Sequence, residues 1–155
     1  MLSKDNAQVA TIIRTVMTEF ACVGEGYSIL DPEVDDMATA YSGEGSAFFV
    51  VENLDNGEVL GCGGIGPLVG GDGLTCELKK MYFFPAMRGL GFGKKMVETC
   101  LEKAKSLGYQ RCYLETVDRM VQANQLYKKM GFEKISSPMG ATGHCSCDTW
   151  YLLEL

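Results

Sequence analysis

Residues 88–95 read Arg-Gly-Leu-Gly-Phe-Gly-Lys-Lys, with glycine at 89, 91 and 93. Glycine at alternate positions strips side chains from a turn and admits left-handed backbone, so successive amides can converge on one anion. The run follows an apolar extended segment, 78–84, and opens a helix whose unpaired N–H groups and dipole add to that attraction. A phosphate or pyrophosphate is the ligand such a turn serves. Two common nucleotide loops do not fit. A Walker loop requires GxxxxGK[ST], but here Lys94 is followed by Lys95 and no magnesium-binding hydroxyl comes next. A dinucleotide loop places GxGxxG in the first turn of a βαβ unit, whereas GxGxG here lies midway along the chain. A glycine-rich connection with no ligand is the plain alternative, and Arg88, Lys94 and Lys95 count against it.

Three further side chains carry chemistry. Glu77 lies on the extended segment eleven residues before Arg88. A carboxylate on a strand beside apolar residues has its pKa raised by desolvation, which suits a base; an ion pair with Lys79 or Arg119 is the alternative. Period-2 alternation puts Glu77, Lys79, Met81 and Phe83 on one face, and a bulge around Lys80-Met81 would present a backbone N–H to an oxyanion. Tyr127 lies in Asn124-Gln125-Leu126-Tyr127-Lys128-Lys129-Met130-Gly131-Phe132, as a proton donor or, with Leu126, as a core aromatic. His144 is the only histidine; an imidazole titrates near neutral pH. It sits in a glycine-rich loop that can fold over a substrate or remain solvated. Cys145 and Cys147 beside it lack the spacing of a zinc site, and no metal is expected.

The elements that hold these groups follow from periodicity. Val9, Ile12, Ile13, Val16, Met17 and Phe20 form one stripe, predicting a helix over 5–20. Asp31 as N-cap and Pro32 in the first turn predict a short helix over 32–40. Strands are predicted at 47–52, 59–65, 74–84, 111–117, 132–136 and 150–153, and helices at 91–107 and 120–130. Glycines at 61, 63 and 64 weaken the second strand and point to close backbone approach or a bulge. One domain, 1–155, is expected, of α/β (α+β) class around one sheet.

Composition narrows the partners. The formal net charge is −6, which argues against a nucleic-acid binder and for a cationic substrate. The acidic run Asp31, Glu33, Asp35, Asp36 would attract a cation or merely face solvent. No stretch is long enough to cross a membrane, and residues 1–6 lead into a charged helix rather than a signal peptide's apolar core. The seven cysteines, scattered and without a CxxC pair, read as free buried thiols in a reducing cytoplasm.

Arg88-x-x-Gly91-x-Gly93 and Asn124-x-x-Leu126-Tyr127-x-x-x-Gly131-Phe132, in this order and spacing, resemble the two signature motifs of the GNAT superfamily, the acetyl-CoA-dependent N-acetyltransferases. The resemblance spans nearly the whole chain. It implies a mixed, mostly antiparallel sheet with helices on both faces, and a strand pair splayed to admit acetyl-CoA. By that resemblance, amides of Gly89, Leu90, Gly91, Phe92, Gly93 and Lys94 hold the pyrophosphate after Arg88. Main-chain groups of Met81 and Phe83 pair with pantetheine, Asn124 bonds the same arm, and Tyr127 protonates the leaving thiolate. Glu77 is the base candidate, with Arg119, His144 and Glu115 toward the acceptor. A Gly-His-x-x-Cys-Asp segment like residues 143–148 is common in related sequences.

The implied reaction is direct transfer of acetyl to a primary amine, small or peptide-borne, in a ternary complex; a non-catalytic acyl-CoA sensor is the alternative. One departure stands out: the family's usual first strand is nearly absent before the first helix. That leaves the outer sheet edge short, open or covered by a partner chain, as in a homodimer.

Overall fold

A computed structural model describes residues 1–155. Helix α1 (Asn6–Glu19) buries Val9, Ala10, Ile12, Ile13, Val16 and Met17, the i, i+3, i+4 recurrence of a one-sided helix. The predicted second helix is two pieces. Pro32–Asp35 is a 3-10 turn and α2 (Met37–Ala40) follows. Asp36, at φ −143°, interrupts them and accepts the Thr39 amide at 3.4 Å. Asp31 makes no capping bond, because its carboxylate is used elsewhere.

Strands β1 (Ala47–Glu52), β2 (Val59–Pro67), β3 (Thr75–Phe83), β4 (Arg111–Thr116), β5 (Glu133–Ile135) and β6 (Thr149–Glu154) form one sheet in the order β1-β2-β3-β4-β6-β5. Every neighbouring pair is antiparallel except β3 and β4. Helix α3 (Phe92–Ser106) connects that parallel pair, and α4 (Val121–Lys129) precedes β5. Residues of α1 and α2 pack with Phe48, Val59 and Cys62 on one face. Those of α3 and α4 pack with Ile65, Cys76, Leu78 and Tyr151 on the other. The mixed sheet with helices on both faces is therefore as expected.

Two features of the sheet make the site. First, β3 and β4 pair only from Thr75↔Arg111 to Glu77↔Tyr113; past Glu77 they separate and leave a cleft. Second, β3 bulges. Cys62 faces Tyr82 and Gly64 faces Lys79, so Gly63 opposes both Lys80 and Met81. Lys80 takes φ +56°, the left-handed backbone that marks such an insertion. The glycines of β2 make room for it. A Cβ on Gly61 would lie 2.2 Å from the Phe83 ring, and one on Gly63 would lie 2.3 Å from the Met81 sulfur.

At the outer edge of the sheet, the Met1 amino group donates to Phe48 O of β1 at 3.4 Å. Cys22, Cys62, Cys76, Cys100 and Cys112 are buried free thiols, while Cys145 is exposed and Cys147 half-buried. No helix is long and apolar enough to cross a membrane.

Candidate active site

The glycine run leads into the N-terminus of α3. Gly89 and Gly91 take φ +75° and +89°, and Gly91 is the N-cap of α3. A Cβ on either would meet nothing within 4 Å, so glycine is required there by conformation and not by space. Gly93 instead serves close packing, with a Cβ position 3.3 Å from Leu126. Backbone bonds resume at both ends of the run, with Arg88 N–H donating to Pro85 O and Lys95 N–H to Gly91 O. The six intervening amides, 89–94, donate to no group of the chain. Six consecutive free donors at a helix N-terminus form a cradle for an anion. Arg88 frames it. Its Nε donates to Phe83 O at 3.1 Å, and its two terminal nitrogens hold Glu19 at 2.5 and 2.7 Å.

From the cradle the cleft runs along β3. Phe84 N–H bonds Leu60 O on β2, so by alternation the main-chain groups of Phe83 and Met81 point the other way, toward the gap beside β4. That edge can pair with an extended amide-bearing chain as one strand pairs with another. The bulge corrects the expected facing of the side chains. Strict alternation grouped Glu77 and Lys79 with Met81 and Phe83. The extra residue at Lys80 reverses the phase, so Met81 and Phe83 join the α3 side while Tyr82 and Phe84 join the α1 side. Glu77 and Lys79 stay beneath the Pro32–Asp35 turn, where Lys79 Nζ lies 3.6 Å from Glu33.

At the end of the cleft lie Glu77, Lys80, Glu115, Tyr127 and His144, lining about 670 Å³ of space open to solvent. Glu77 is 3% exposed, and its Oε2 has no hydrogen-bond partner. Burial pushes its carboxyl above the usual range; Lys79 and His144 pull back only in part, and Glu115 pushes the same way as burial. His144 Nδ1 is 4.0 Å from Glu77 Oε1, and its Nε2 is 3.1 Å from Asp31 Oδ2. Asp31 also receives Lys80 Nζ, whose side chain is 1% exposed and lies 3.5 Å from Glu33. A lysine this deeply buried needs such partners. Burial acts to raise the Asp31 carboxyl, but His144 and Lys80 outweigh it and hold the group below its ordinary value.

Tyr127 is 6% exposed, packed edge-on to Phe132 with ring centroids 5.9 Å apart. Burial raises its phenol, which keeps the proton in place, and its hydroxyl makes no hydrogen bond within the chain. It is both a core aromatic and a cleft residue.

Two sequence candidates are committed elsewhere. Asn124 was expected to bond a ligand arm, but its amide turns inward. Nδ2 donates to Val117 O and Met120 O, both at 2.9 Å, and Oδ1 accepts Tyr151 Oη at 3.0 Å. Its bonds tie the β4–α4 loop to β6. Arg119 was expected at the acceptor or as a partner for Glu77, but it closes the C-terminus of α1. Its Nε donates to Phe20 O at 2.6 Å, with further bonds to Ala21 O and the Tyr27 hydroxyl. The acidic run is likewise engaged, Asp31 and Glu33 by lysines, Asp35 by Arg14 at 2.9 Å and Asp36 by Asn6 at 2.7 Å. Sequence reading did not find the Asp31–Lys80 contact. Its one signal was two consecutive lysines in an alternating strand.

The profile of the Acetyltransferase (GNAT) family matches residues 13–132. An uncharacterized N-acetyltransferase of Escherichia coli K12, YjgM, is 44% identical over 153 residues, covering 98% of this chain and 90% of that protein. A second from Schizosaccharomyces pombe is 30% identical over 132 residues, covering 85% and 78%. A GNAT-family acetyltransferase from Staphylococcus aureus Mu50 shares the fold with TM-score 0.84 at 20% identity, covering 99% and 95% of the two chains. The Salmonella typhimurium protein yncA, a putative acetyltransferase whose structure includes its cofactor acetyl-CoA, superposes with TM-score 0.71 at 21% identity, covering 97% and 90%.

Proposed function

The chain belongs to the GNAT family of acetyltransferases, and from that premise we propose that it moves acetyl from acetyl-CoA to a primary amine by direct attack in the cleft between β3 and β4. The observation that carries this reading is the continuity of three features. The free amides 89–94 lead to the unpaired edge of β3, and that edge ends at a buried oxygen of Glu77 that accepts no hydrogen bond and has Lys79 Nζ 3.9 Å away. When bound, acetyl-CoA supplies an activated acyl group as a thioester. The amides 89–94 would hold its pyrophosphate, and main-chain groups of Met81 and Phe83 its amide-bearing arm. Asn124 contributes by fixing the loop between β4 and α4.

An ammonium has no lone pair, so the amine must lose a proton before or during attack. Glu77 is the base: burial has raised its affinity for that proton, and one oxygen accepts no hydrogen bond and can take it. A backbone N–H at the Lys80–Met81 bulge would meet charge developing on the acyl oxygen. Tyr127 donates its proton to the departing sulfur. We further read residues 1–155 as one N-acetyltransferase domain acting in the cytoplasm, where five buried thiols stay reduced. The outer edge of β1 is the surface on which a second copy would pair.

Acetyl-CoA is expected to raise the melting temperature, ATP at equal concentration not to, and thiol to appear only when a primary amine is added. Equal stabilisation by ATP would sink the coenzyme A reading, and stabilisation without thiol release across an amine panel would leave a sensor module. Tyr127→Phe is expected to slow thiol release about tenfold with acetyl-CoA affinity unchanged. The effect falls below the roughly 100-fold or more usual for an acid because a thiol, with a pKa of about 8.5, departs tolerably as its anion. Unaltered turnover would remove the proton-donor role.

A further inference from the structure

On the reading that amine and thioester meet in this cleft, we infer that the acceptor is a primary amine with no carboxylate beside its reacting nitrogen, and that Glu115 selects it. Glu115 stands on β4 where that strand has left β3. It lines the same space as Glu77 and Tyr127. Its Oε1 accepts two hydroxyls, Tyr113 Oη at 2.8 Å and Thr142 Oγ1 at 2.9 Å. No lysine, arginine or histidine pairs with it. Those two bonds fix the carboxylate without neutralising it. Beside it, Oε2 of Glu77, which accepts no hydrogen bond, is buried in the same wall.

The cations nearby are already committed. Lys80 is held between Asp31 and Glu33, Lys79 between Glu33 and Glu77, and Arg119 by the end of α1. The approach is acidic too. A second pocket shares His144 and Tyr27 with the cleft, and adds Glu25 and Asp31 with no lysine or arginine. Leu30, 61% exposed, stands at its rim, a contact for a hydrocarbon stem. An arriving ammonium therefore meets an oriented carboxylate. An α-carboxylate would arrive beside two like charges, and the cations that line the same space, Lys79 and Lys80, each already face two carboxylates. Like charges in a half-buried pocket are a repulsive device, worth on the order of 100-fold in discrimination. A free alkylamine and a lysine side chain on a peptide share the accepted chemistry, while free α-amino acids do not.

Matched pairs test this. Isoamylamine against leucine and tyramine against tyrosine differ only by the carboxylate, and leucinamide keeps the bulk without the charge. The kcat/KM from thiol release is expected to favour each amine over its acid by about 100-fold, with leucinamide within about tenfold of isoamylamine. Glu115→Gln keeps the shape and the acceptor for Tyr113 and Thr142. It is expected to raise KM for isoamylamine about tenfold, move kcat less, and shrink the discrimination by a similar factor. A peptide with a blocked N-terminus and one free lysine side chain, against cadaverine, distinguishes the two sources of the amine. Calorimetry of the same pairs on CoA-loaded protein reads the charge preference without chemistry. A preference in binding with no thiol release would refute transfer and uphold this selection. Equal treatment of amine and acid, or discrimination unmoved in Glu115→Gln, would overturn it.

Discussion

Gly91→Asp is expected to weaken acetyl-CoA binding by at least about 100-fold while the protein still folds with nearly its native melting temperature. Gly91 has φ +89°, and aspartate tolerates that region better than most residues, at a cost of about 1 kcal/mol. For a chain of this size that is about 2–4 °C in melting temperature. No protein atom lies within 4 Å of the added Cβ, so no clash adds to it. The new carboxylate also stands at the N-terminus of α3, where the positive end of the helix dipole attracts it and recovers part of the strain.

That compensation is what removes the ligand. The carboxylate occupies the cradle formed by amides 89–94 and repels the pyrophosphate meant for it. Gly91→Ala imposes the backbone strain without the charge and is expected to bind acetyl-CoA far better than the aspartate variant. Calorimetric titration of both, with a melting curve for each, checks the claim. An aspartate variant that binds like the parent would place the pyrophosphate elsewhere.

The parts of the fold that were readable from sequence are those with strong local periodicity. The stripe at Val9, Ile12, Ile13 and Val16 became α1, and α3 began at the glycine run. Gly61 and Gly63 announced a close approach, and the structure seats Phe83 and Met81 over them. The bulge itself was legible at Lys80-Met81, but a single inserted residue inverts every side chain beyond it. Facing past the bulge therefore could not be extrapolated from Glu77. The amide of Asn124 fits a ligand or a loop equally well by type. Its direction is decided by the carbonyls of Val117 and Met120, whose positions depend on how β4 leaves the sheet. The acidic floor was hardest to read. Asp31 and His144 meet across 113 positions, and Thr142 reaches Glu115 across 27, contacts created only when two loops close over the splayed strands.

Glu77→Gln is expected to cost up to about 1000-fold in kcat/KM near pH 7.4 and, at the same time, to raise the melting temperature. The rate effect follows from the amine. With a pKa of about 10.4, roughly one molecule in 1000 is neutral at that pH, so a variant without a base depends on that fraction. The deficit should shrink about tenfold per pH unit toward pH 10, giving a profile that climbs where the parent's is level. The stability effect follows from burial. Glu77 is raised in the folded protein, so the folded chain holds this proton more tightly than the unfolded one. Stability then falls as pH rises from the ordinary carboxyl value, about 4.3, through the folded value. At neutral pH the parent carries a buried charge with one oxygen that accepts no hydrogen bond and has Lys79 only at 3.9 Å, and glutamine of the same shape relieves it. Below about pH 4 both forms are neutral and the gain should vanish. A lower melting temperature at neutral pH, with the pH–rate profile unchanged, would make Glu77 the structural partner of Lys79 instead. Slower and more stable together is the signature of a base held in an environment that disfavours its charge.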